Sequence, residues 1–253
     1  FSTDSLDVSA LRAVPGVAAL SLTLEENAIV VYSEEEHIAV LKGVDTAFGS
    51  VTAVDDSVLI GQYAPFRERS DGSFLPGAVL GAGVADVLDV LLGPRAGQLT
   101  VYMPKRGLNA GVGLSRAFRE RRISPVGVFR IQQEFDARYV VVPLPFVQQL
   151  LDFPDSRAGA VEIRLDKGAS SAKVAKALQD IAGPGFIVQN RYQLNPSVYK
   201  VMRTEKWAVY LVLTFILIVA AFNMIGSISM LVIDKKTDIA VLRAMGASQR
   251  QIQ

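Results

Sequence analysis

One uncharged run, residues 207–233, constrains this chain more than any other feature of its sequence. A helix of about 27 residues is roughly 40 Å long, and about 30 Å is enough to cross the hydrocarbon core of a bilayer. Trp207 and Tyr210 stand near its start, where aromatic side chains anchor in the headgroup layer. The alternative is a buried helix of a soluble protein, but such helices are usually shorter and carry polar residues. The run therefore predicts a transmembrane helix.

The composition of the chain excludes several classes of function. The net charge of +1 argues against nucleic-acid binding, which requires a concentrated basic surface. The absence of cysteine excludes disulfides and thiolate metal sites. The one histidine, His37, has no evident partner base, and the glycines of 81–86 lack the spacing of a nucleotide-binding loop. We therefore expect no catalytic site, no metal and no cofactor. Because the chain starts at Phe1 and stops within a helical pattern, we also expect it to be part of a longer protein.

The residues before the run show two different sequence patterns. A helix followed by strands in 1–48, and strand, helix and strand in 157–206, are typical of one α+β subdomain. Residues 49–156 contain frequent glycine and proline between short apolar segments, which predicts a β-rich subdomain inserted into the first. The predicted helices cover 5–14, 79–93, 145–153 and 170–183, and the predicted strands cover 17–27, 28–33, 37–45, 98–104, 124–132, 138–144, 161–167 and 186–191. A turn near Asn27 is expected to separate the first two strands. The fold class is α+β.

The run itself continues a longer helical pattern. After Pro196, a suitable first helical residue, neither glycine nor proline occurs before Gly226. Residues 197–233 are therefore predicted to form one uninterrupted helix, the alternative being a break near Thr204. Small or amide side chains share one face of the span, which permits close helix–helix packing, although a water-filled path is the alternative. These residues are Ala220, Asn223, Gly226 and Ser227.

The segment after the run, 234–253, predicts a separate short amphipathic helix that lies against the membrane. Its apolar strip is formed by Ile239, Leu242 and Met245, and a glycine follows as a helix stop. Ser248 and Gln251 then resemble a capping box that opens another helix. Such a helix directly after a span would present one face to a partner.

The end of the span and the residues after it, 220–248, read AAFNMIGSISMLVIDKKTDIAVLRAMGAS. Three earlier stretches read AIVVYSEEEHIAVLKGVD, VLGAGVADVLDVLLG and SPVGVFRIQQEFDARYVVVPLPFVQQLLDF. These four stretches resemble parts of the FtsX-like permeases of ABC transporters, a superfamily that includes MacB, and within it the lipoprotein-releasing permeases LolC and LolE. The resemblance covers nearly the whole chain.

The resemblance implies a domain plan and an orientation. Residues 1–48 and 157–206 would form a Porter-like periplasmic subdomain and stalk, with a Sabre-like β-rich subdomain, 49–156, inserted. The span 207–233 and a cytoplasmic coupling helix at 234–253 would follow. Basic residues are equally numerous on both flanks of the run, so the family alone places 1–206 in the periplasm and 234–253 in the cytoplasm, in a multi-pass protein of the bacterial inner membrane.

The resemblance also implies partners. The permease would not be an enzyme, since a separate LolD-like ATPase would hydrolyse ATP, and a second permease subunit, identical or paralogous, would complete the transporter. The residues that would couple to the ATPase are Asp238, Ile239, Leu242, Arg243, Met245 and Gly246. The expected function is release of lipoproteins from the inner membrane to a LolA-like periplasmic carrier. The alternatives are a MacB-type efflux permease and an FtsX-type regulator of a cell-wall hydrolase.

A basic, glycine-containing segment at 104–122 stands where LolC carries a hook that captures the carrier. We call it the hook segment, and its alternative interpretation is a flexible surface loop. Its basic residues, the candidate carrier contacts, are Lys105, Arg106, Arg116, Arg119, Arg121 and Arg122.

Overall fold

The computed structural model describes residues 1–68, 74–93, 96–105, 118–194 and 196–246. The chain divides into two units, Phe1–Val188 and Gln189–Gln253. The first is a mixed, β-rich unit and the second is helical. At this level the predicted combination of an α+β domain and a long apolar helix is confirmed.

The elements of the first unit are named in chain order, within the described residues. The strands are β1 Val17–Tyr32, β2 Glu35–Val44, β3 Val58–Gly61, β4 Phe66–Glu68, β5 Phe74–Gly81, β6 Leu99–Pro104, β7 Phe118–Phe129, β8 Tyr139–Pro143 and β9 Ala160–Leu165. The helices are α1 Val8–Arg12, α2 Phe48–Val51, α3 Ala82–Val87, α4 Gln133–Asp136, α5 Leu144–Leu151 and α6 Ser171–Ala182. Short 3-10 turns occupy Thr3–Ser5 and Asp55–Ser57. The second unit contains α7 Arg191–Leu194 and α8 Pro196–Ala244.

The sheet of the first unit closes on itself. β1 pairs with β2 and β6, β2 runs parallel to β8, and β6 pairs with β7. β5 pairs with both β8 and β7, so the chain of pairings returns to its start. The strands β1, β2, β8, β5, β7 and β6 therefore form a closed ring, in which each has a neighbour on both sides.

The ring has its own hydrophobic core, which we call the distal cluster because it packs on the C-terminal part of β1. Alternate residues of a strand point to the same side, so every second residue of the ring strands packs towards α3 and α5. The largest of its fully buried side chains are those of Leu41, Leu80, Leu88, Leu99, Ile123 and Leu150. A smaller cluster around Phe48 and Phe129 covers part of the opposite side.

A second core, the proximal cluster, lies where β9 pairs with the first half of β1. α1 and α6 pack there, and the buried members are Leu6, Leu11, Val14, Leu20, Val174 and Leu178. The members come from 1–48 and 157–206, the two segments predicted to pack together. A division into separate subdomains stays a prediction, because β1 contributes to both clusters and residues 1–188 form one unit.

Three predicted elements are wrong in detail. The expected turn near Asn27 is absent, and β1 runs through it unbroken to a turn at Ser33, whose φ is +55°. The expected helix 79–93 is reduced to α3, since its first three residues complete β5. The expected strand 186–191 does not form, and its residues follow α6 without regular structure until α7.

Candidate coupling segment, packing face and hook segment

α8 is the one candidate membrane span among the described residues. Its stretch Thr204–Ala244 is long and apolar enough to cross a membrane, and its most apolar window has no buried residue. Trp207 is 72% exposed and Phe215 65% exposed. Apolar side chains exposed all around a helix are typical of contact with lipid or with other spans. The helix also passes Thr204 without a break, as predicted.

The predicted packing face is compatible with the geometry of α8. With 3.6 residues per turn, Ala220, Asn223, Gly226 and Ser227 fall within about 120° of the helix circumference. All four are exposed in this chain. A side chain added at Gly226 would meet nothing within 4 Å. The described chain thus gives no reason for glycine at this position, and packing against another span stays a prediction.

The segment 234–253, which we call the coupling segment, differs from its prediction in one respect. The expected separate helix is not present: the residues after the span continue α8 to Ala244. No glycine or proline separates 234 from the span, so nothing in the local sequence ends the helix there. The predicted stop is confirmed, since Gly246 has a φ of +96° and its N–H donates to the Arg243 carbonyl at 3.0 Å.

The apolar strip of the coupling segment is available for contact. Leu242 is 42% exposed and Met245 72% exposed, whereas Ile239 is half-buried. Asp238 accepts an exposed ion pair from Lys235 at 3.0 Å, which stabilises the helix little. The role of these residues in ATPase coupling stays a prediction, and Ser248 and Gln251 lie outside the described residues.

The described residues of the hook segment lie mostly in β-strands. Pro104 ends β6, and 118–122 begin β7, which pairs with β6 as a hairpin stem. Arg119, Arg121 and Arg122 therefore lie on a strand, which does not fit the alternative interpretation of these residues as a flexible loop. Arg106 and Arg116 lie outside the described residues, as does the rest of 106–117.

Two of the predicted carrier contacts have partners within the chain. Arg119 donates to the Asp152 carboxylate at 2.7 Å, just after α5, and Arg121 hydrogen-bonds the Gln149 side chain of α5. These contacts tie β7 to α5. Lys105 and Arg122 remain exposed, although Arg122 lies 3.9 Å from Glu120. The Asp152 carboxylate therefore offsets one positive charge of the hairpin stem, whereas Gln149 is neutral, and carrier binding by these residues stays a prediction.

The residues weighed for chemistry have structural explanations. His37 lies on β2, and its Nε2 is 3.1 Å from the Ala137 carbonyl oxygen. Side chains at Gly81 and Gly83 would overlap the backbone of Asp136 and Ala137, so these glycines allow α3 to pack on α4. Among the described residues, no group of three or more acidic or histidine side chains is placed to hold a metal ion.

Sequence reasoning missed a half-buried charge cluster on the sheet. Lys42 of β2 lies 2.7 Å from Glu25 of β1 and 2.5 Å from Glu162 of β9. Its ammonium also stands 5.5 Å from the Phe48 ring centroid. Burial alone would lower the pKa of Lys42, but Glu162 and Glu25 outweigh it and the pKa is raised. Finding this cluster required the register of three strands, which single-sequence patterns do not provide.

Comparison with known proteins identifies relatives of the whole chain and of its C-terminal part. Residues 210–253 match the family described as FtsX-like permease C-terminal. The lipoprotein-releasing system transmembrane protein LolE of Haemophilus influenzae is 23% identical over 244 residues, which is 96% of this chain and 56% of the relative. LolC of Neisseria meningitidis is 27% identical over 72% of this chain and 42% of the relative. LolC of Xylella fastidiosa is 30% identical over 51% and 31%. The chain thus spans about half the length of these relatives or less.

Solved structures provide weaker matches. The periplasmic region of MacB from Actinobacillus actinomycetemcomitans aligns with a TM-score of 0.46 at 14% identity, over 69% of this chain and 72% of that one. The extracellular domain of the noncanonic ABC-type transporter YknZ from Gram-positive bacteria aligns with a TM-score of 0.45 at 16% identity, over 71% and 83%. The resemblance to FtsX-like permeases, with homologues among the lipoprotein-releasing permeases LolE and LolC, is confirmed by the sequence matches.

Proposed function

We propose that this chain is part of a permease subunit of an ABC transporter that releases lipoproteins from the bacterial inner membrane and passes them to a periplasmic carrier. The observation that carries the proposal is the similarity to LolE across 96% of the chain, together with the match of 210–253 to the FtsX-like permeases. In this proposal residues 1–206 face the periplasm and 234–253 the cytoplasm. A separate LolD-like ATPase and a second permease subunit complete the transporter.

The continuous helix supports a mechanical role. α8 has 49 residues, and at 1.5 Å per residue it is about 74 Å long. That length exceeds the hydrocarbon core by more than twofold, so one helix can reach beyond both membrane surfaces. A movement that the ATPase imposes near Leu242 would then reach the periplasmic side through one rigid element. The exposed strip around Leu242 is the proposed docking surface for the ATPase.

The test replaces the centre of that strip. In Leu242→Asp, a carboxylate would have to be desolvated on docking, so we expect lipoprotein release from vesicles with the complete transporter to fall at least tenfold. ATP hydrolysis should persist without release. Ala240→Asp is the matched control, since Ala240 is exposed and lies about 160° around the helix from Leu242. Normal release by Leu242→Asp would contradict the proposed docking surface.

The carrier contact is a separate part of the proposal. A LolA-like carrier with an acidic rim would be attracted to the hook segment, and salt would weaken that attraction. We expect deletion of 107–117 to abolish carrier binding by the full chain without changing its thermal unfolding by more than a few degrees. Arg122→Ala, which removes an exposed charge of the stem, should weaken binding less than the deletion. Unchanged carrier affinity after the deletion would mean that the segment is only a surface loop.

A further inference from the structure

β1 changes partners near its middle. On one edge it pairs with β2 from Thr23 to Tyr32, and on the other edge with β9 from Val17 to Thr23. Pairing with β6 begins only at Ile29 on that second edge. Thr23 is the one residue that belongs to both the β1–β2 and the β1–β9 ladder. Next to Thr23, in either direction, β1 is paired on only one edge. A strand paired on one edge resists bending less than a strand paired on both, so β1 would bend at this crossing.

Asp45 follows the last residue of β2, and its side chain provides the next hydrogen-bond acceptors for β1. Its carboxylate accepts from the Leu22 N–H at 2.9 Å, on the edge that β2 has just left, and from the Ser21 hydroxyl at 2.6 Å. The Ala47 N–H donates to the same carboxylate at 3.0 Å. Ser21 is fully buried, so this hydroxyl–carboxylate bond lies in a place of low solvent access. Hydrogen bonds to an ionised acceptor are about twice as strong as neutral ones.

Lys42 acts on the same face of the crossing as Ser21, because Ser21 and Glu25 are four residues apart on β1 and share a face. It lies opposite Glu25 in the β1–β2 register, and Glu162 lies opposite Ser21 in the β1–β9 register. By binding both carboxylates, Lys42 connects β2 to β9 across β1. The Lys42 ammonium also lies over the rings of Phe48 and Tyr139, 5.5 and 5.8 Å from the ring centroids.

We propose that Asp45 and Lys42 lock this crossing, which we call the β1 joint, so that the distal and proximal clusters move as one rigid body. Without the Asp45 carboxylate, Leu22 loses its acceptor and Ser21 its buried partner, and the joint becomes a hinge. The proposal concerns residues 1–188 and does not depend on what the protein transports.

The absence of cysteine makes the test direct. Spin labels are attached to cysteines introduced at Lys173 on α6 and at Glu36 on β2, both exposed, in the full chain in detergent. The distance distribution between the labels is measured by pulsed electron spin resonance. We expect one narrow distribution for the parent and a distribution at least twofold broader for Asp45→Ala. Asp180→Ala, which removes an exposed aspartate on α6, should leave the width unchanged.

Two milder variants cover the case in which Asp45→Ala fails to fold. Asp45→Asn keeps one oxygen acceptor, and Ser21→Ala removes only the hydroxyl, so both should fold and broaden the distribution by less than Asp45→Ala. Lys42→Met should broaden it independently. If Asp45→Asn, Ser21→Ala and Lys42→Met all retain the parent width, the β1 joint is not locked by these side chains, and the proposal is overturned.

Discussion

The distal and proximal clusters share β1, yet they are enclosed differently. In the distal cluster, ring strands neighbour each other on both sides and most core residues are buried. In the proximal cluster, β1 and β9 are covered by α1 and α6, and half-buried apolar residues outnumber buried ones. Burial of apolar area is the main source of stability. The difference indicates that the ring provides most of the folding free energy and that the proximal cluster opens more easily.

The largest expected effect is loss of a large side chain from the ring. Leu41 is fully buried, and Leu41→Ala should lower the free energy of unfolding by about 3–5 kcal/mol through lost transfer energy and a cavity. Leu178→Ala in the proximal cluster should cost less, about 2 kcal/mol, because half-buried neighbours can close around the gap. Denaturant unfolding of the two variants checks the order. Equal losses would remove the distinction between the clusters.

Hydrogen exchange sharpens the same comparison. We expect Leu178→Ala to accelerate amide exchange in α1, α6 and β9 while β2 and β8 stay protected, since regions of lower stability open without global unfolding. Leu41→Ala should accelerate exchange in both clusters. Acceleration confined to β2 in the Leu41→Ala variant would show that the ring does not control global stability.

The next effect concerns the contact between β2 and α5. A side chain at Gly43 would lie 2.8 Å from Val147 Cγ2 and 3.2 Å from Leu144 Cα. Gly43→Ala should therefore push α5 outwards and destabilise the ring by about 1–3 kcal/mol. Gly49→Ala is the matched control: its added carbon would contact Tyr63 at an ordinary 3.6 Å, and alanine favours the helix α2. A neutral Gly43→Ala would mean that α5 adjusts freely.

The smallest expected effect is a pH-dependent contribution of Lys42 to the free energy of unfolding. The folded protein raises the pKa of Lys42 above its ordinary value of 10.5, so the charged lysine stabilises the fold. This contribution is fully present below pH 10.5 and is lost as pH rises through the folded pKa. The parent should exceed Lys42→Met in stability by about 1 kcal/mol at pH 8, and the difference should shrink in strongly alkaline solution. A difference independent of pH would assign the effect to packing.

Local patterns predicted those elements whose signals are contained in neighbouring residues. β6, β8, α5 and α6 lie close to their predicted ranges, because proline, glycine and apolar spacing mark their ends. Asn27 suggested a turn, but it occupies an exposed position of β1 and is paired with Val40, so tertiary pairing overrode its local preference. The ring and the β1 joint depend on pairings between distant residues, which apolar spacing does not encode.

The candidate sites show the same difference between local signals, which the sequence contains, and contacts between distant residues, which it does not show. The stop at Gly246 followed from one residue type with a known backbone preference. The partners of Arg119 and Arg121 on and after α5 could not be foreseen, since charge counting treats every surface arginine as free. Whether Arg119 and Arg121 contact a carrier stays a prediction.

Closure of the ring also determines the order in which the chain can fold. Val40 of β2 pairs with Tyr139 of β8, so this ladder cannot form until roughly a hundred further residues have been synthesised. β5 likewise waits for both β7 and β8. Until then the β1–β2 hairpin presents a long unpaired edge, a template for pairing with other chains. Newly made protein should consequently pass through a slow, aggregation-prone stage that ends when β8 enters between β2 and β5.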